Sequence, residues 1–305
     1  MSLCVASCQF PTSADVDANA GHVGALLREA RARGARVAHF PEACLSGYAG
    51  ADLESPTSID FARLRMRTEE LLALAGELGL WLVLGSTHPL TPPHKPHNSV
   101  YVVDDQGRLI DRYDKRFCAG DASEETGDLA HYTPGNHTTT FDVDGVRCGV
   151  LICHDYRYPE LFRDAKRRGV QLMFHSFHAG HVPPERLARN REAIGEENLE
   201  RSHGASFPEI TMHATLVAVA ASSHMWISAA NSSARESCWG SFFVRADGVT
   251  TGRLDRHVTG MLISDVDVDA PLYESTAAWR DRAMEGRLHS GTLVADERSN
   301  NRSQL

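Results

Sequence analysis

Apolar positions along the chain follow two rhythms, and each rhythm predicts an element. "LCVASCQF" near the N-terminus is a short apolar run, read as a buried strand. Residues 17–33 place Val23, Leu26, Leu27 and Ala30 on one helical face, and Gly34 supplies the stop. "RVAHF" predicts a second strand, cut off by Pro41. Phe61, Leu64, Leu71, Leu72, Ala75 and Leu78 recur at helical spacing up to Gly79, and "LWLVLGST" is the next strand. "NSVYVVDDQGRLIDRYDK" reads as two strands joined at Asp105-Gln106-Gly107. Strict alternation would put Leu109, Asp111, Tyr113 and Lys115 on one face.

A Gly-, Asp- and Glu-rich loop spans 119–136, and "VRCGVLIC" follows as a strand apolar on both faces. "PELFRDAKRRG" is a short helix with Pro159 at its start and Gly169 at its end. "VQLMFHS" is again a strand, and 183–205 is a charged, helix-prone insertion expected on the surface. A helix over 209–222 precedes strands in "MWISAANSS", "SCWGSFFVRADG" and "GMLISDVDVD". Strands alternating with helices, hairpins included, predict an α/β layered fold with a mixed sheet. One domain is expected over 1–286, with a tail at 287–305 that is disordered or wraps a partner.

Composition narrows the function classes. The 305 residues are 42% hydrophobic and 23% charged, so a full core can form without disulfides or metals. Net charge is -9, and the longest basic run is "KRR" at 166–168. Nucleic acid is therefore not an expected partner. Seven cysteines without a C-x-x-C fit free thiols in a reducing compartment. "MSLCVASCQFPT" reads as a strand and not as a secretory signal, and no window suits a membrane span. A cytoplasmic protein with a small-molecule substrate is expected.

Three residues at strand ends carry candidate chemistry. Cys153 closes an apolar strand ahead of a turn and the helix at Pro159, where amides and a helix N-terminus are expected to depress a thiol pKa. The same amides suit an oxyanion. The alternative is a packed core cysteine. Glu42 follows "VAHFP" and offers a base, or an ordinary loop acid. Lys115 ends "LIDRYDK" and offers a fixed positive charge, or an exposed edge lysine. "HSFHAGH" spaces His175, His178 and His181 three apart and raises a metal site as a rival. Gly180 and Pro183 favour a loop there.

Taken together, "FPEACLSGY", "RYDKRF" and "GVLICHDYRYPELFR" resemble the nitrilase superfamily of carbon–nitrogen hydrolases. "YTPGN" and "NSS…WGSFFVRADG" extend the likeness over most of the chain. The resemblance implies a four-layer α-β-β-α sandwich with two mixed sheets, no cofactor, and at least a homodimer. It implies Glu42 as general base, Lys115 as electrostatic partner and Cys153 as nucleophile. An oxyanion and substrate pocket is expected from His154, Tyr48, Phe177 and His178. Many members carry a second Glu about six residues before the Pro of the "PG" segment. Asp128 stands there, with Glu124 and Glu125 nearby.

These residues predict hydrolysis of a small-molecule amide through a cysteine thioester. N-carbamoyl hydrolysis and nitrile hydrolysis are the nearest alternatives. Nitrile-cleaving relatives more often have Trp-Glu after the cysteine, where this chain has His154-Asp155. A metal-dependent hydrolase built on the histidines, or a non-catalytic scaffold, are the rivals of a different class.

Overall fold

The computed structural model describes residues 2–179, 184–202, 204, 206–235 and 237–303. The N-terminal half runs β1 (Leu3–Gln9), α1 (Val16–Ala32), β2 (Val37–His39), α2 (Phe61–Leu78), β3 (Trp81–His88), β4 (His97–Val103) and β5 (Leu109–Asp114). The C-terminal half continues with β6 (Thr140–Val143), β7 (Val146–Ile152), α3 (Pro159–Arg167), β8 (Leu172–Phe177), α4 (Pro184–Ile194) and α5 (Glu196–Arg201). It ends with α6 (Phe207–Ser223), β9 (Trp226–Asn231), β10 (Phe242–Val244), β11 (Thr250–Arg253), β12 (Gly260–Val266), α7 (Arg280–Met284) and α8 (Glu297–Asn300).

Local chemistry sets these boundaries. The Asp15 carboxylate accepts from the amides of Asp17 and Ala18 at 2.9 and 3.1 Å, so two otherwise free donors are satisfied where α1 begins. Val23, Leu26, Leu27 and Ala30 are all buried, as their spacing predicts. Gly79 ends α2 in the left-handed conformation that a side chain resists.

Strands form two six-stranded sheets, in the orders β12-β1-β2-β3-β4-β5 and β11-β10-β9-β8-β7-β6. Both are mixed. β1, β2 and β3 run parallel in the first sheet and β7, β8 and β9 in the second, with antiparallel strands on either side. α1 and α2 cover the outer face of the first sheet through Leu26, Leu27, Leu71 and Ala75. α3 and α6 cover the second through Leu161, Phe162, Met212 and Leu216. The inner faces meet around Val5, Val83, Val100, Val150, Phe174 and Ile227. This is the expected four-layer sandwich.

Some elements depart from the sequence reading. β6 and β11 were not anticipated; each is four residues long and lies at an edge of the second sheet. α6 starts two residues early because Ser206 caps it, accepting from the Glu209 amide at 3.4 Å. The insertion forms α4 and α5, neither of which buries a side chain. Beyond Gly286 the chain carries α8, and Leu288, Leu293 and Val294 stand exposed.

Candidate active site

Glu42, Lys115 and Cys153 each follow the last residues of a strand: β2, β5 and β7. Sheets of this kind open toward ligands at the carboxyl ends of their parallel strands. The Glu42 segment lies directly on β3. A Cβ on Gly85 would stand 2.0 Å from the Pro41 carbonyl and 2.9 Å from Glu42 Cα, so only glycine permits that approach. Glu42 is fully buried and not a loop acid in solvent.

Lys115 is 1% exposed, which removes the edge-lysine reading. The expected alternation fails at the start of β5, where pairing with β4 shifts register between Val102 and Val103. Leu109 and Ile110 are both exposed, whereas Tyr113 and Lys115 are buried. The Gly135 amide donates to the Lys115 carbonyl at 2.8 Å and pins the "YTPGN" segment beside it.

The ammonium of Lys115 lies 2.7 Å from Glu42 Oε1 and 2.8 Å from Asp128 Oδ2. Asn98 Nδ2 also donates to Glu42 Oε1 at 2.8 Å, and the His178 amide donates to Oε2 at 2.8 Å. Asp128 accepts from the Tyr48 hydroxyl and, at 2.7 Å, from the Ala119 amide. The 119–136 loop therefore presents Asp128, while Glu124 and Glu125 are exposed. Burial alone would raise the Asp128 carboxyl; Lys115, Tyr48 and the Ala119 amide outweigh it and hold the group below the usual carboxylate range. Burial likewise opposes the Lys115 charge, but Asp128 and Glu42 push its pKa well above the ordinary lysine value.

Cys153 opens a turn with φ at 40°, a left-handed backbone that side chains rarely adopt and that gathers at functional sites. Asp155 holds it. One carboxylate oxygen accepts from the Ile152 amide at 3.0 Å and the Tyr113 hydroxyl at 2.9 Å, and the other from the Phe117 amide at 2.9 Å. The Cys153 turn is thus tied to β5 and to the chain just beyond Lys115. His175 adds a bond from Nε2 to the Cys153 carbonyl at 3.2 Å.

One electrostatic expectation is reversed. Burial and the neighbouring Glu42 push the Cys153 thiol well above its ordinary value, with Lys115 pulling the other way. The resting thiol is therefore protonated.

Cys153 lies on a cleft of about 1040 Å³ that His154, Tyr48, Phe177 and His178 also line. Glu42 and Lys115 stand behind its wall. His178 Nε2 is 2.9 Å from Asp52 Oδ2 but without hydrogen-bond geometry. His175 is stacked on Phe177 at 4.2 Å and burial lowers its pKa to about 3. His181 lies outside the described residues, and among those described no group of three potential metal ligands comes together. Sequence reasoning missed Asn98, and it missed Arg157, Arg186, Arg189 and Trp239 on the cleft wall. Hairpin register alone pointed to His97 and not to Asn98; Arg186 and Arg189 gave no signal, because the path of the insertion was unknown, and nothing in the sequence placed Arg157 on the cleft.

The Carbon-nitrogen hydrolase family model matches residues 4–276. The chain belongs to that family. Within the family it is similar to the protein called "Hydrolase in agr operon" of Staphylococcus lugdunensis, 31% identical over 143 residues, 46% of this chain and 57% of the relative. It is also similar to 2-oxoglutaramate amidase of Bacillus subtilis, 28% identical over 146 residues, 48% of this chain and 53% of that protein. These matches span little more than half of either relative's length. A solved structure of the Nesterenkonia AN1 amidase from the nitrilase superfamily superposes with a TM-score of 0.69 at 20% identity, covering 87% of this chain and 90% of that one. That likeness shows the shared two-sheet sandwich.

Proposed function

We propose that the protein hydrolyses the carbon–nitrogen bond of a small-molecule amide through a thioester on Cys153, with release of ammonia. The observation that carries this reading is the Lys115 ammonium held between Glu42 and Asp128, behind a cleft wall that carries Cys153. Glu42 takes the thiol proton as sulfur attacks the carbonyl carbon, then gives it to the leaving nitrogen. Ammonia departs and leaves RC(O)–S–Cys153. Glu42 next takes a proton from water, which displaces the thiol and yields the acid.

Lys115 stabilises negative charge developing on the carbonyl oxygen. At about 4 Å and an effective dielectric near 20 such an interaction is worth on the order of 4 kcal/mol. That corresponds to several hundred-fold in rate, roughly. Asp128 keeps Lys115 charged and in place. The Bacillus and Nesterenkonia proteins it resembles, both amidases, support an amide over a nitrile as substrate.

The test is ammonia release from a panel of amides, N-carbamoyl amino acids and nitriles, followed by hydroxylamine competition on whichever is cleaved. A thioester partitions between water and hydroxylamine, so hydroxamate should replace acid while one ammonia is released per amide consumed. Cys153→Ala should abolish turnover with the fold intact. Loss of activity in chelator, with no hydroxamate over a wide hydroxylamine range, would replace this reading with a metal-bound water.

A further inference from the structure

Three guanidiniums line the same cleft: Arg157 on the turn after Cys153, and Arg186 and Arg189 on α4. The two on α4 are three residues apart and share a helix face. Among the described residues none of the three has a carboxylate at ion-pair distance. Other arginines of the insertion are different. Arg191 pairs with Glu196 at 3.2 Å, and Arg201 pairs with Glu197. Arg157 is also oriented, with its guanidinium 4.8 Å from the Tyr156 ring centroid.

The balance of charge in the cleft is uneven. Among the described residues its acidic lining side chains are Asp128 and Glu185. Asp128 is committed to Lys115, Tyr48 and the Ala119 amide. Among the described residues three cations therefore face one available carboxylate, on a chain whose net charge is -9. An unpaired cationic cluster at the mouth of a cleft on an acidic protein attracts anions selectively. The same cleft is also lined by the apolar side chains of Phe177, Trp239 and Met212.

We propose that the substrate is an amide carrying a carboxylate, joined to the amide carbon by an apolar spacer, and that Arg157, Arg186 and Arg189 bind the carboxylate. This rests on the amidase reading above. The amide enters toward Cys153, the spacer crosses Phe177, Trp239 and Met212, and the carboxylate reaches the guanidiniums. Guanidinium favours this ligand because its planar donors match a carboxylate in pairs. An amide with an amine tail would bring a fourth cation to the mouth and is disfavoured.

The experiment compares monoamides of straight-chain dicarboxylic acids, succinamate to suberamate, with their methyl esters of equal length. On the full chain, kcat/KM for ammonia release should favour the best acid over its ester by about tenfold or more, mainly through KM. In the Arg186→Gln/Arg189→Gln double variant that ratio should fall toward one. A native ratio near one, or a ratio that survives the double variant, overturns the proposal while leaving the amidase reading standing. If neither acid nor ester is cleaved, the amidase reading fails separately. Calorimetry on Cys153→Ala protein then decides the site, because suberamate should bind about tenfold or more tightly than its methyl ester. Equal binding of the two would sink it.

Discussion

At the residue scale the question is how the half-buried Cys153 thiol would become the nucleophile proposed above. A helix N-terminus and turn amides normally favour thiolate. Here burial and the Glu42 charge win, and the proton stays on sulfur at rest. In the proposed mechanism the ionising step is thus coupled to attack, with Glu42 as acceptor, and the site avoids a reactive anion when empty. We predict that Cys153 contributes no thiolate absorbance below the ordinary thiol pKa of about 8.5. The measurement is the ultraviolet difference between native protein and Cys153→Ala, titrated upward from neutral pH. A thiolate already present at neutral pH would show that Lys115 dominates and would remove the need for a base. The position of Cys153 was legible in the sequence, since a strand, a turn and a proline-led helix are local signals. Its protonation state was not legible, because it depends on Glu42, brought beside it from more than a hundred residues away.

At the element scale, strand register and close backbone approach aim the side chains. Asn98 shows why part of the site could not be read. An unbroken hairpin from Asp105-Gln106-Gly107 would set His97 opposite Lys115. The register shift in β5 brings Asn98 there, with the Lys115 amide donating to the Asn98 carbonyl at 2.9 Å. Long helices such as α1 and α2 were legible because periodicity and caps agree, whereas β6 and β11 are too short for any period to register. Two glycines test the approach argument. Gly85→Ala forces β3 and the Glu42 segment apart, since the new Cβ meets the Pro41 carbonyl at 2.0 Å. It should destabilise the fold by roughly 1–3 kcal/mol and lower kcat by about a hundredfold, the usual result of moving a reacting group by about 1 Å. Gly21→Ala, on the exposed side of α1 with nothing within 4 Å, should instead stabilise by about 0.5–1 kcal/mol. Urea midpoints and steady-state rates measure both. Near-native activity in Gly85→Ala would mean that the Glu42 segment is held by something other than β3.

At the scale of the whole molecule, the two sheets are joined by a polar seam with one direction. Ser176 Oγ donates to the Phe40 carbonyl at 2.9 Å, so it accepts from His39 Nε2, 3.0 Å away. His39 Nδ1 is then an acceptor for Ser228 Oγ at 2.8 Å, and Ser7 Oγ completes the chain at 2.6 Å. Only a neutral imidazole fits, and burial lowers His39 to about 3. His175 is lowered to about 3, and His88 and His154 to about 4, each chiefly by burial. Below about pH 6.5 the unfolded chain protonates these rings and the folded chain does not, so stability must fall with pH. Asp155 runs the other way, since burial raises it to about 6 and it takes up its proton first in the folded state. At about pH 5, His39 and His175 each remove roughly 2 kcal/mol, and Asp155 returns roughly 1 kcal/mol. The net loss of a few kcal/mol is a large share of a typical stability of about 5–15 kcal/mol. Urea unfolding from slightly alkaline pH to about pH 5 should therefore show a falling midpoint at constant m. His39→Asn should make the slope shallower by close to one proton. A midpoint that stays flat over that range would mean the imidazoles protonate inside the fold, and the one-way seam between the sheets would have to be redrawn.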